Sequence, residues 1–325
     1  MSKVLVIGGT LFIGRALVEQ LLARGDEVTV MHRGASTPFG DRVQRIRCDR
    51  NEVSAVRAAL QGKNFEVVYD NVYDMARGTS ADQVKAAVLA AASGQLKRYV
   101  FMSTIAVYAS GGEVDEDSPL APSGDHNIYG AQKADSERLL FELHRRQGIP
   151  VTTLRPTFIY GPDNAIDRET WFWDRISAGR PVIVPDQGER TMRWVYVQDV
   201  ARAAVVASGN DKAIGRAYNL VGDPPITQRA FVELLGQVAG QATKVVPIPR
   251  DELLRQGGQL VSPGAYFANF LDLSPIGARS DRIRAELGFE FTPLEEGMRQ
   301  TWEWYRRLER PKPDYSWEDG VLTGR

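Results

Sequence analysis

The chain has little of the chemistry that builds metal centres or disulfide frameworks. Its 325 residues include one cysteine, Cys48, and three scattered histidines, His32, His126 and His144. One cysteine excludes an internal disulfide, and the histidines show no metal-ligand spacing. Metal catalysis is therefore disfavoured, and no metal-binding residue is predicted.

A charge excess and long apolar runs are also missing. The chain has 40 Lys+Arg and 41 Asp+Glu, a net charge of -1, so no global positive field exists to hold nucleic acid. No apolar run approaches the roughly 18 residues that a membrane span needs. The first run, Val4 to Ile7, is too short for a signal peptide. The sequence predicts a cytoplasmic protein without membrane contact.

Aliphatic runs alternate with helical stretches through the first 160 residues. An uninterrupted run such as Val4 to Ile7 is typical of a strand covered on both faces. Further strands are predicted at 28–30, 43–46, 67–69, 99–102 and 151–154, and helices near 13–21, 52–60, 80–92 and 129–147. Because parallel neighbours need crossover connections, this alternation predicts an α/β, doubly wound parallel sheet of the Rossmann type.

The sequence pattern changes after residue 161, where the predicted helices and strands become shorter and proline and glycine become more frequent. We predict a dinucleotide-binding domain over 1–160 with a return segment over 197–222. A smaller mixed α/β substrate-binding region is expected over 161–325, at the carboxyl ends of the strands. A late amphipathic helix should carry one stripe, made of Leu294, Met298, Trp302, Tyr305 and Leu308.

A glycine-containing turn follows the first predicted strand. Gly8 and Gly14 occupy the outer places of a G-x-x-G-x-x-G pattern, and Leu11 stands where the middle glycine is expected. Glycines let the backbone approach a pyrophosphate, and the next helix offers free N–H groups at its start. A merely tight turn is the alternative. The predicted cofactor-binding residues are Gly8, Thr10, Leu11, Phe12, Ile13 and Gly14.

The end of the second strand bears on the choice of cofactor. NAD-specific folds place an acid there, whereas this chain has His32-Arg33. A guanidinium suits a 2'-phosphate, so the expected cofactor is NADP or NAD, with NADP favoured. The alternative is that Arg33 simply points into water.

The next two strands end in residues that we also assign to the cofactor. Asp49 could accept from the adenine amino group, and its neighbour Arg50 is included with it. Asp70 and Asn71 close the fourth strand on the nicotinamide side. Plain turn residues are the alternative for both sites.

The catalytic prediction rests on three residues. Thr104 follows the fifth strand, and Tyr129 and Lys133 are four apart, on one face of a predicted helix. An ammonium about 4 Å from a phenol favours the phenolate by roughly 4 kcal/mol at an effective dielectric near 20. Tyr129 could then take a proton from a substrate alcohol while Thr104 holds the oxygen. The spacing alone is common by chance.

Several motifs together give the chain a resemblance to the extended short-chain dehydrogenase/reductases, which include nucleotide-sugar epimerases and dehydratases. They are the glycine turn, Ser103-Thr104, Val107-Tyr108, Tyr129 with Lys133, Leu154-Arg155-Pro156, Tyr160-Gly161-Pro162, Trp194 to Val197 with Asp199, Glu286 to Phe289, and Leu294 to Gly297. The resemblance implies an NAD(P)-dependent epimerase or reductase acting on a sugar alcohol or carbonyl, nucleotide sugars included. It makes Thr104 the hydroxyl that orients the substrate, Tyr129 the acid/base, and Lys133 both its activator and a ligand of the nicotinamide ribose, so that Tyr129 and Lys133 are also predicted cofactor-binding residues. It also implies a homodimer through the helices near 80–92 and 129–147.

Two departures from that family refine the prediction. Family dehydratases carry Asp-Glu directly after the threonine, where this chain has Ile105-Ala106, so 4,6-dehydration is disfavoured. Met192 stands where many members use an arginine to grip a nucleotide diphosphate. Arg190 or Arg193 could substitute for it in binding substrate, or both could pair with surface acids.

Other features look most like the atypical branch that contains the chloroplast stem-loop-binding proteins. They are the missing middle glycine, His32-Arg33-Gly34, Trp171-Phe172-Trp173 and the segment Asp319 to Leu322. Relatives in that branch are associated with RNA and have lost the catalytic tyrosine, which this chain keeps. An enzyme is therefore favoured, and an RNA-binding protein or an NADP-sensing regulator on the same fold are the alternatives.

Overall fold

A computed structural model describes residues 1–109, 111–222, 224–262 and 264–323. The chain divides into two compact units, each built from three segments. Unit 1 contains Met1–Thr157, Val197–Val221 and Ile276–Glu290. Unit 2 contains Phe158–Tyr196, Gly222–Pro275 and Phe291–Arg325.

The strands follow the aliphatic runs of the sequence. They are β1 (Lys3–Ile7), β2 (Glu27–His32), β3 (Gln44–Arg47), β4 (Val67–Asp70), β5 (Arg98–Met102), β6 (Glu113–Val114), β7 (Val151–Pro156), β8 (Phe158–Tyr160), β9 (Val182–Pro185), β10 (Thr191–Met192), β11 (Trp194–Tyr196), β12 (Arg216–Leu220), β13 (Ile226–Thr227), β14 (Val245–Ile248) and β15 (Gly277–Ala278).

In the first half of the chain, the α-helices alternate with the strands. They are α1 (Phe12–Ala23), α2 (Val53–Leu60), α3 (Ala81–Ala91), α4 (Ile128–Gln147), α5 (Glu169–Ser177), α6 (Val197–Ser208), α7 (Gln228–Ala239), α8 (Arg250–Arg255), α9 (Asp281–Leu287), α10 (Leu294–Tyr305) and α11 (Ser316–Thr323). Short 3-10 turns cover Gly40–Arg42, Ile105–Val107 and Asp211–Ala213. Among the helices of the described residues, none is a candidate membrane span.

Unit 1 is built on a seven-stranded sheet in the order β12-β7-β5-β4-β1-β2-β3. Every neighbouring pair is parallel. Parallel pairing brings the carboxyl ends of neighbouring strands to one edge, where Ile7 lies beside Met31 on one side and Asp70 on the other. The prediction of a doubly wound parallel sheet is confirmed.

The central strands of the sheet are buried on both faces: the successive side chains Val4, Leu5, Val6 and Ile7 of β1 all have no exposed surface. Residues of β1, β4 and β5 pack with α2, α3 and α4 in one apolar cluster that includes Leu5, Val68, Phe101 and Leu140. Helix α3 begins at a capping box, in which Ser80 and Gln83 exchange side-chain and backbone hydrogen bonds. Covered faces of this kind explain why the strands read as continuous apolar runs.

A buried ion pair ties α4 to β7. Nε and Nη2 of Arg155 donate to the carboxylate of Glu137, with the shortest contact at 2.5 Å between Nη2 and Oε2. Nη1 donates to the hydroxyl of Tyr108 at 3.0 Å, and that hydroxyl donates to Asn219. Both charged side chains are almost fully enclosed. The pair fixes the register of the helix that carries Tyr129 and Lys133.

Residues 276–290 complete unit 1, although no sequence pattern indicated it. Strand β15 pairs in parallel with β6, joining Gly277 to Glu113. The hydroxyl of Ser280 accepts from the N–H of Val221 and donates to the carbonyl of Asn219. A late segment of the chain thus closes over the edge of the main sheet.

Unit 2 is held by aromatic packing and a second buried ion pair. Phe172 packs edge-on against Phe231 and Phe267, and Trp194 stacks on Phe231. Arg175 on α5 donates to Glu318, and both side chains are buried. The residues after α10 therefore include a further helix, α11, which the pair of Glu318 with Arg175 anchors.

The predicted apolar stripe of the late helix is wrong at its last member. Helix α10 ends at Tyr305, so Leu308 lies beyond it and is exposed. The indole N–H of Trp317 donates to the carbonyl of Gln256 at 2.8 Å, which helps to hold the segment that follows.

The buried pair in unit 1 gives a stability prediction. Glu137→Gln should lower the free energy of unfolding by about 3 kcal/mol, because it leaves the Arg155 charge buried without a carboxylate. Glu295→Gln is the matched control, since it breaks only the exposed pair of Glu295 with Arg299 and should cost about 0.5 kcal/mol. Urea unfolding followed by circular dichroism measures both. Equal losses in the two variants would contradict the role given to Arg155.

Candidate active site

The glycine turn brings the start of α1 against the end of β1. A Cβ atom on Gly14 would lie 1.8 Å from the carbonyl oxygen of Gly8, so no side chain fits at that position. Gly8 itself takes a φ of +82°, which favours glycine. The two outer glycines of the pattern are therefore required by the backbone.

Leu11 replaces the expected middle glycine without strain, because its backbone is extended, with φ at -131°. Its side chain is apolar and 69% exposed, so it cannot cap α1, where it occupies the N-cap position. The first helical turn, which begins at Phe12, contains no acid. Thr10, Phe12 and Ile13 are half-buried around this helix start. An uncapped helix start of this kind can take a phosphate.

Two buried polar atoms lie at the same edge of the sheet. Nδ2 of Asn71, after β4, and Oγ of Ser103, after β5, have no hydrogen-bond partner among the residues that the structure describes. Buried polar groups are usually paired, so these atoms suggest a polar ligand at this edge. Together with the uncapped helix and the close turn, they fit a bound dinucleotide.

Arg33 and Asp49 belong to one charged cluster near the ends of β2 and β3. Nη1 of Arg33 lies 3.3 Å from Asp74 and 3.9 Å from Asp49, and its side chain is 66% exposed. Arg77 pairs with the same two acids, at 2.7 Å from Asp49 and 2.8 Å from Asp74. Its hydrogen bond is the largest cause that lowers the pKa of Asp74. Arg77 was missed in the sequence, since it stands in an irregular loop.

His32 is half-buried at the end of β2, and its buried Nε2 has no hydrogen-bond partner among the residues that the structure describes. Its Nδ1 accepts from the N–H of Gly34 at 3.1 Å, which fixes the ring against its own chain. Desolvation by burial, and after it the charge of Arg45, lowers the pKa of His32. The imidazole is therefore neutral around physiological pH.

Arg50 and Asp70 are a correction to the predicted site. Arg50 donates to Asp70 through Nε at 3.2 Å and Nη2 at 2.5 Å, and the hydroxyl of Tyr99 donates to the same carboxylate at 2.7 Å. Asp70 is completely buried and Arg50 nearly so. Because each charge is neutralised by the other inside the protein, neither side chain is presented to a cofactor.

Thr104 begins the 3-10 turn that follows β5. Its Oγ1 accepts from the N–H of Ala106 at 3.2 Å, and the side chain is almost buried. Helix α4 passes so near this turn that a Cβ on Gly130 would lie 2.1 Å from the carbonyl oxygen of Ala106. Gly130 therefore permits the close approach between Thr104 and the helix turn that carries Tyr129.

Lys133 is buried in unit 1, with 3% of its surface exposed. Nζ donates to the carbonyl oxygen of Met102 at 2.6 Å and lies 4.5 Å from the ring centroid of Phe101. Desolvation by burial lowers the pKa of Lys133 to about 8, although the charges of Asp70 and Glu137 act in the opposite direction. The lysine is thus an ammonium held between a carbonyl dipole and an aromatic face.

Tyr129 is half-buried and packs against a tyrosine that sequence reasoning missed. The ring centroids of Tyr73 and Tyr129 are 4.7 Å apart, with an angle of 86° between the ring planes. The Tyr73 ring also lies 5.6 Å from Nζ of Lys133. Tyr73 lies three residues after the end of β4. Its place just beyond the carboxyl end of a central parallel strand, where ligands bind in such sheets, is the signal that could have identified it.

The two arginines predicted to bind substrate belong to unit 2. Nη1 of Arg190 lies 3.0 Å from Oδ1 of the buried carboxylate of Asp272, and Arg250 and Tyr266 donate to the same acid. Arg190 is thus engaged within unit 2. Arg193 is half-buried and follows the buried Met192 of β10.

Comparison with known proteins identifies relatives of this chain. The chain is 29% identical over 255 residues to the chloroplast stem-loop binding protein of 41 kDa b of Arabidopsis thaliana, a match that covers 74% of this chain and 64% of that protein. It is 27% identical over 332 residues to a dTDP-glucose 4,6-dehydratase of Streptomyces niveus, covering 94% of this chain and 93% of that enzyme. The chain thus spans less than two thirds of the length of the first relative.

Solved structures share the fold. The UDP-glucuronic acid 4-epimerase of Bacillus cereus in complex with NAD superposes with a TM-score of 0.73 at 20% identity, covering 94% of this chain and 99% of that one. The model of the NAD dependent epimerase/dehydratase family matches residues 4–221, from β1 to the residue after β12. The resemblance seen in the sequence is confirmed, and the chain belongs to the NAD dependent epimerase/dehydratase family.

Proposed function

We propose that the chain is an NAD(P)-dependent epimerase or reductase that acts on an alcohol or carbonyl carbon of a sugar, nucleotide sugars included. The observation that carries this proposal is the enclosed ammonium of Lys133. It stands one helical turn from Tyr129, where α4 closes on the turn that carries Thr104. An enclosed cation near a phenol and a hydroxyl suits proton transfer to and from an alcohol.

Unit 1 is the proposed cofactor domain. Gly8, Gly14 and the start of α1 would hold the pyrophosphate, and Asn71 and Ser103 would meet the cofactor at the ends of β4 and β5. When bound, NAD(P) supplies a carbon that accepts a hydride or returns it. Unit 2 is the proposed substrate domain.

Tyr129 is the proposed acid/base. Its hydroxyl would take the proton of a substrate alcohol as the carbonyl forms and give it back in the reverse step. Lys133 would stabilise the phenolate through its charge, which is present below a pH of about 8. Thr104 would orient the substrate oxygen, and its Oγ1 keeps a hydroxyl proton to donate because that atom accepts from Ala106.

Epimerisation or net reduction is favoured over 4,6-dehydration. The 3-10 turn after Thr104 consists of Ile105, Ala106 and Val107, so it offers no carboxylic acid to deprotonate or protonate a sugar carbon. The family also contains dehydratases such as the Streptomyces niveus relative, so the distinction depends on these positions alone.

Substrate binding through a nucleotide diphosphate has two candidate residues. Arg190, which is paired with Asp272, and the half-buried Arg193 are both proposed for the role that Met192 cannot fill. Relatives named for UDP- and dTDP-sugars make such substrates the first to test.

An RNA-binding protein is the second candidate. The Arabidopsis thaliana relative, 29% identical, is named for stem-loop binding, and this observation favours it. The net charge of -1 weakens it, because RNA affinity depends largely on neutralising phosphates. Tight binding of a stem-loop RNA that weakens steeply with salt would distinguish this candidate from the enzyme.

The glycine turn gives a test of the cofactor site. Gly14→Ala should weaken NAD and NADP binding at least tenfold, because the new methyl group overlaps the Gly8 carbonyl and must displace the start of α1. Gly94→Ala is the control, since a Cβ there meets nothing within 4 Å. Isothermal titration calorimetry measures both. Unchanged affinity in Gly14→Ala would place the cofactor elsewhere.

The acid/base role gives a kinetic prediction. Tyr129→Phe should slow turnover a hundredfold or more, because it removes the group that exchanges the proton, while NAD(P) affinity stays within about threefold. Rates are measured with UDP-glucose, UDP-glucuronate and dTDP-glucose, by product separation and by absorbance of reduced cofactor. Undiminished turnover in the variant would defeat the assignment of Tyr129.

The preference for NADP depends on Arg33. Arg33→Ala should weaken NADP binding roughly tenfold and leave NAD binding unchanged, since only NADP carries the 2'-phosphate. Arg57→Ala, an exposed arginine of α2, is the control. Calorimetric titration with both nucleotides gives the ratio. Equal effects on the two cofactors would show that Arg33 serves only its ion pairs with Asp49 and Asp74.

A further inference from the structure

The loop between β4 and α3, residues 71–79, is tied to the helical turn that carries Tyr129 and Lys133. Oε1 of Gln132 accepts from the hydroxyl of Tyr73 at 2.8 Å and from the N–H of Thr79 at 3.1 Å. A Cβ on Gly78 would lie 2.6 Å from that same oxygen, so the loop passes as close as glycine allows. One amide side chain on α4 thus holds the loop at two points, Tyr73 and Thr79.

The side chain of Thr79 and the backbone at Asp74 are held by further hydrogen bonds. The hydroxyl of Thr79 donates to Oδ1 of Asn51 at 3.1 Å, and the N–H of Asp74 donates to that hydroxyl at 3.1 Å. Oδ1 of Asp74 accepts from the N–H groups of Ala76 and Arg77. Tyr73 is therefore carried by a rigid loop, and its ring has a defined place.

That place is close to both groups of the proposed chemistry, the Tyr129 ring and the Lys133 ammonium. The edge-to-face contact with Tyr129, at 4.7 Å between centroids, restricts rotation of the Tyr129 ring. The ring of Tyr73 also lies 5.6 Å from Nζ of Lys133, and Phe101 covers the same ammonium at 4.5 Å. Two aromatic faces thus exclude water from the lysine while attracting its charge.

The charged groups around Lys133 are engaged in ion pairs of their own, so they do not replace the aromatic contacts. Asp70 and Arg50 face it from the β4 side, and Glu137 lies one turn further along α4. Asp70 is paired with Arg50 and Glu137 with Arg155. The nearest contact that fixes the ammonium is the Met102 carbonyl, at 2.6 Å.

We propose that Tyr73 is a positioning residue, held by Gln132, that fixes the phenol of Tyr129 and encloses the ammonium of Lys133. The inference rests on the proposed acid/base role of Tyr129. Tyr73 acts through Tyr129 and Lys133 and exchanges no proton with the substrate. Its hydroxyl is committed to Gln132, so the ring is the part that matters.

Ionisation of the Tyr129 phenol is the readout, because it needs no substrate. Ultraviolet difference spectra near 295 nm record tyrosinate as a function of pH, and subtraction of the same spectra from Tyr129→Phe isolates Tyr129. Tyr73→Leu should lower the ionisation constant of Tyr129 about two- to tenfold, because loss of the ring admits water to the Lys133 ammonium and weakens its stabilisation of the phenolate. Tyr73→Phe keeps the ring and should change it less than twofold.

Further variants separate positioning from general loss of structure. Gln132→Leu releases the Tyr73 hydroxyl and the Thr79 N–H together, and should also lower the ionisation constant of Tyr129. This second variant tests the proposal if Tyr73→Leu fails to fold. Tyr305→Phe is the matched control, because it removes a phenol hydrogen bond to Asp174 within unit 2 and should leave Tyr129 unchanged. Near-ultraviolet circular dichroism confirms that each variant is folded.

The possible results are distinct. If Tyr129 in the unmodified protein ionises like free tyrosine, with and without NAD, the proposed function fails whatever Tyr73 does. If Tyr129 ionises at lower pH and neither Tyr73→Leu nor Gln132→Leu shifts it, the inference about Tyr73 is overturned and the proposed function stands. A shift in both variants, with Tyr73→Phe and Tyr305→Phe near the unmodified protein, supports the inference.

Discussion

Burial of the Lys133 ammonium is the constraint on which the site in unit 1 depends. A charge removed from water must be compensated, and here a backbone carbonyl and two aromatic faces provide the nearest contacts. The compensation is incomplete, because burial still lowers the pKa of Lys133 to about 8. An ammonium that is costly to keep charged gains from any negative charge that forms beside it, and the phenolate of Tyr129 would be such a charge.

Two buried ion pairs flank this lysine without competing for it. Arg50 with Asp70 lies on the sheet side, and Arg155 with Glu137 lies along α4. Each pair is nearly neutral as a unit, and each joins elements that the site requires to be rigid. Such pairs stabilise a fold weakly compared with apolar packing, but breaking one is costly, so they favour a single arrangement of α4 against the sheet.

The sequence was sufficient to predict the sheet and most of the glycine turn. Aliphatic runs indicate buried strands, and glycines indicate positions where the backbone leaves no room for a side chain. It was insufficient where a residue type serves two purposes. Arg50 and Asp70 look like ligands in a sequence, and only three-dimensional pairing shows that they neutralise each other. Tyr73 belongs to no recognisable motif, and its contact with Tyr129 joins positions that are 56 residues apart in the sequence. Helix α11 and residues 276–290 were missed because short elements acquire stability from distant contacts rather than from their own periodicity.

The discontinuity of unit 1 has a consequence for how the protein is made. Strand β12, the edge of the main sheet, pairs with β7, and β15 and α9 join the same unit only after residue 276. A ribosome must therefore deliver most of the 325 residues before the sheet can be finished. Until β12 has been made, β7 lacks its hydrogen-bonding partner on that side, so this strand edge is open to non-native pairing during that interval of synthesis.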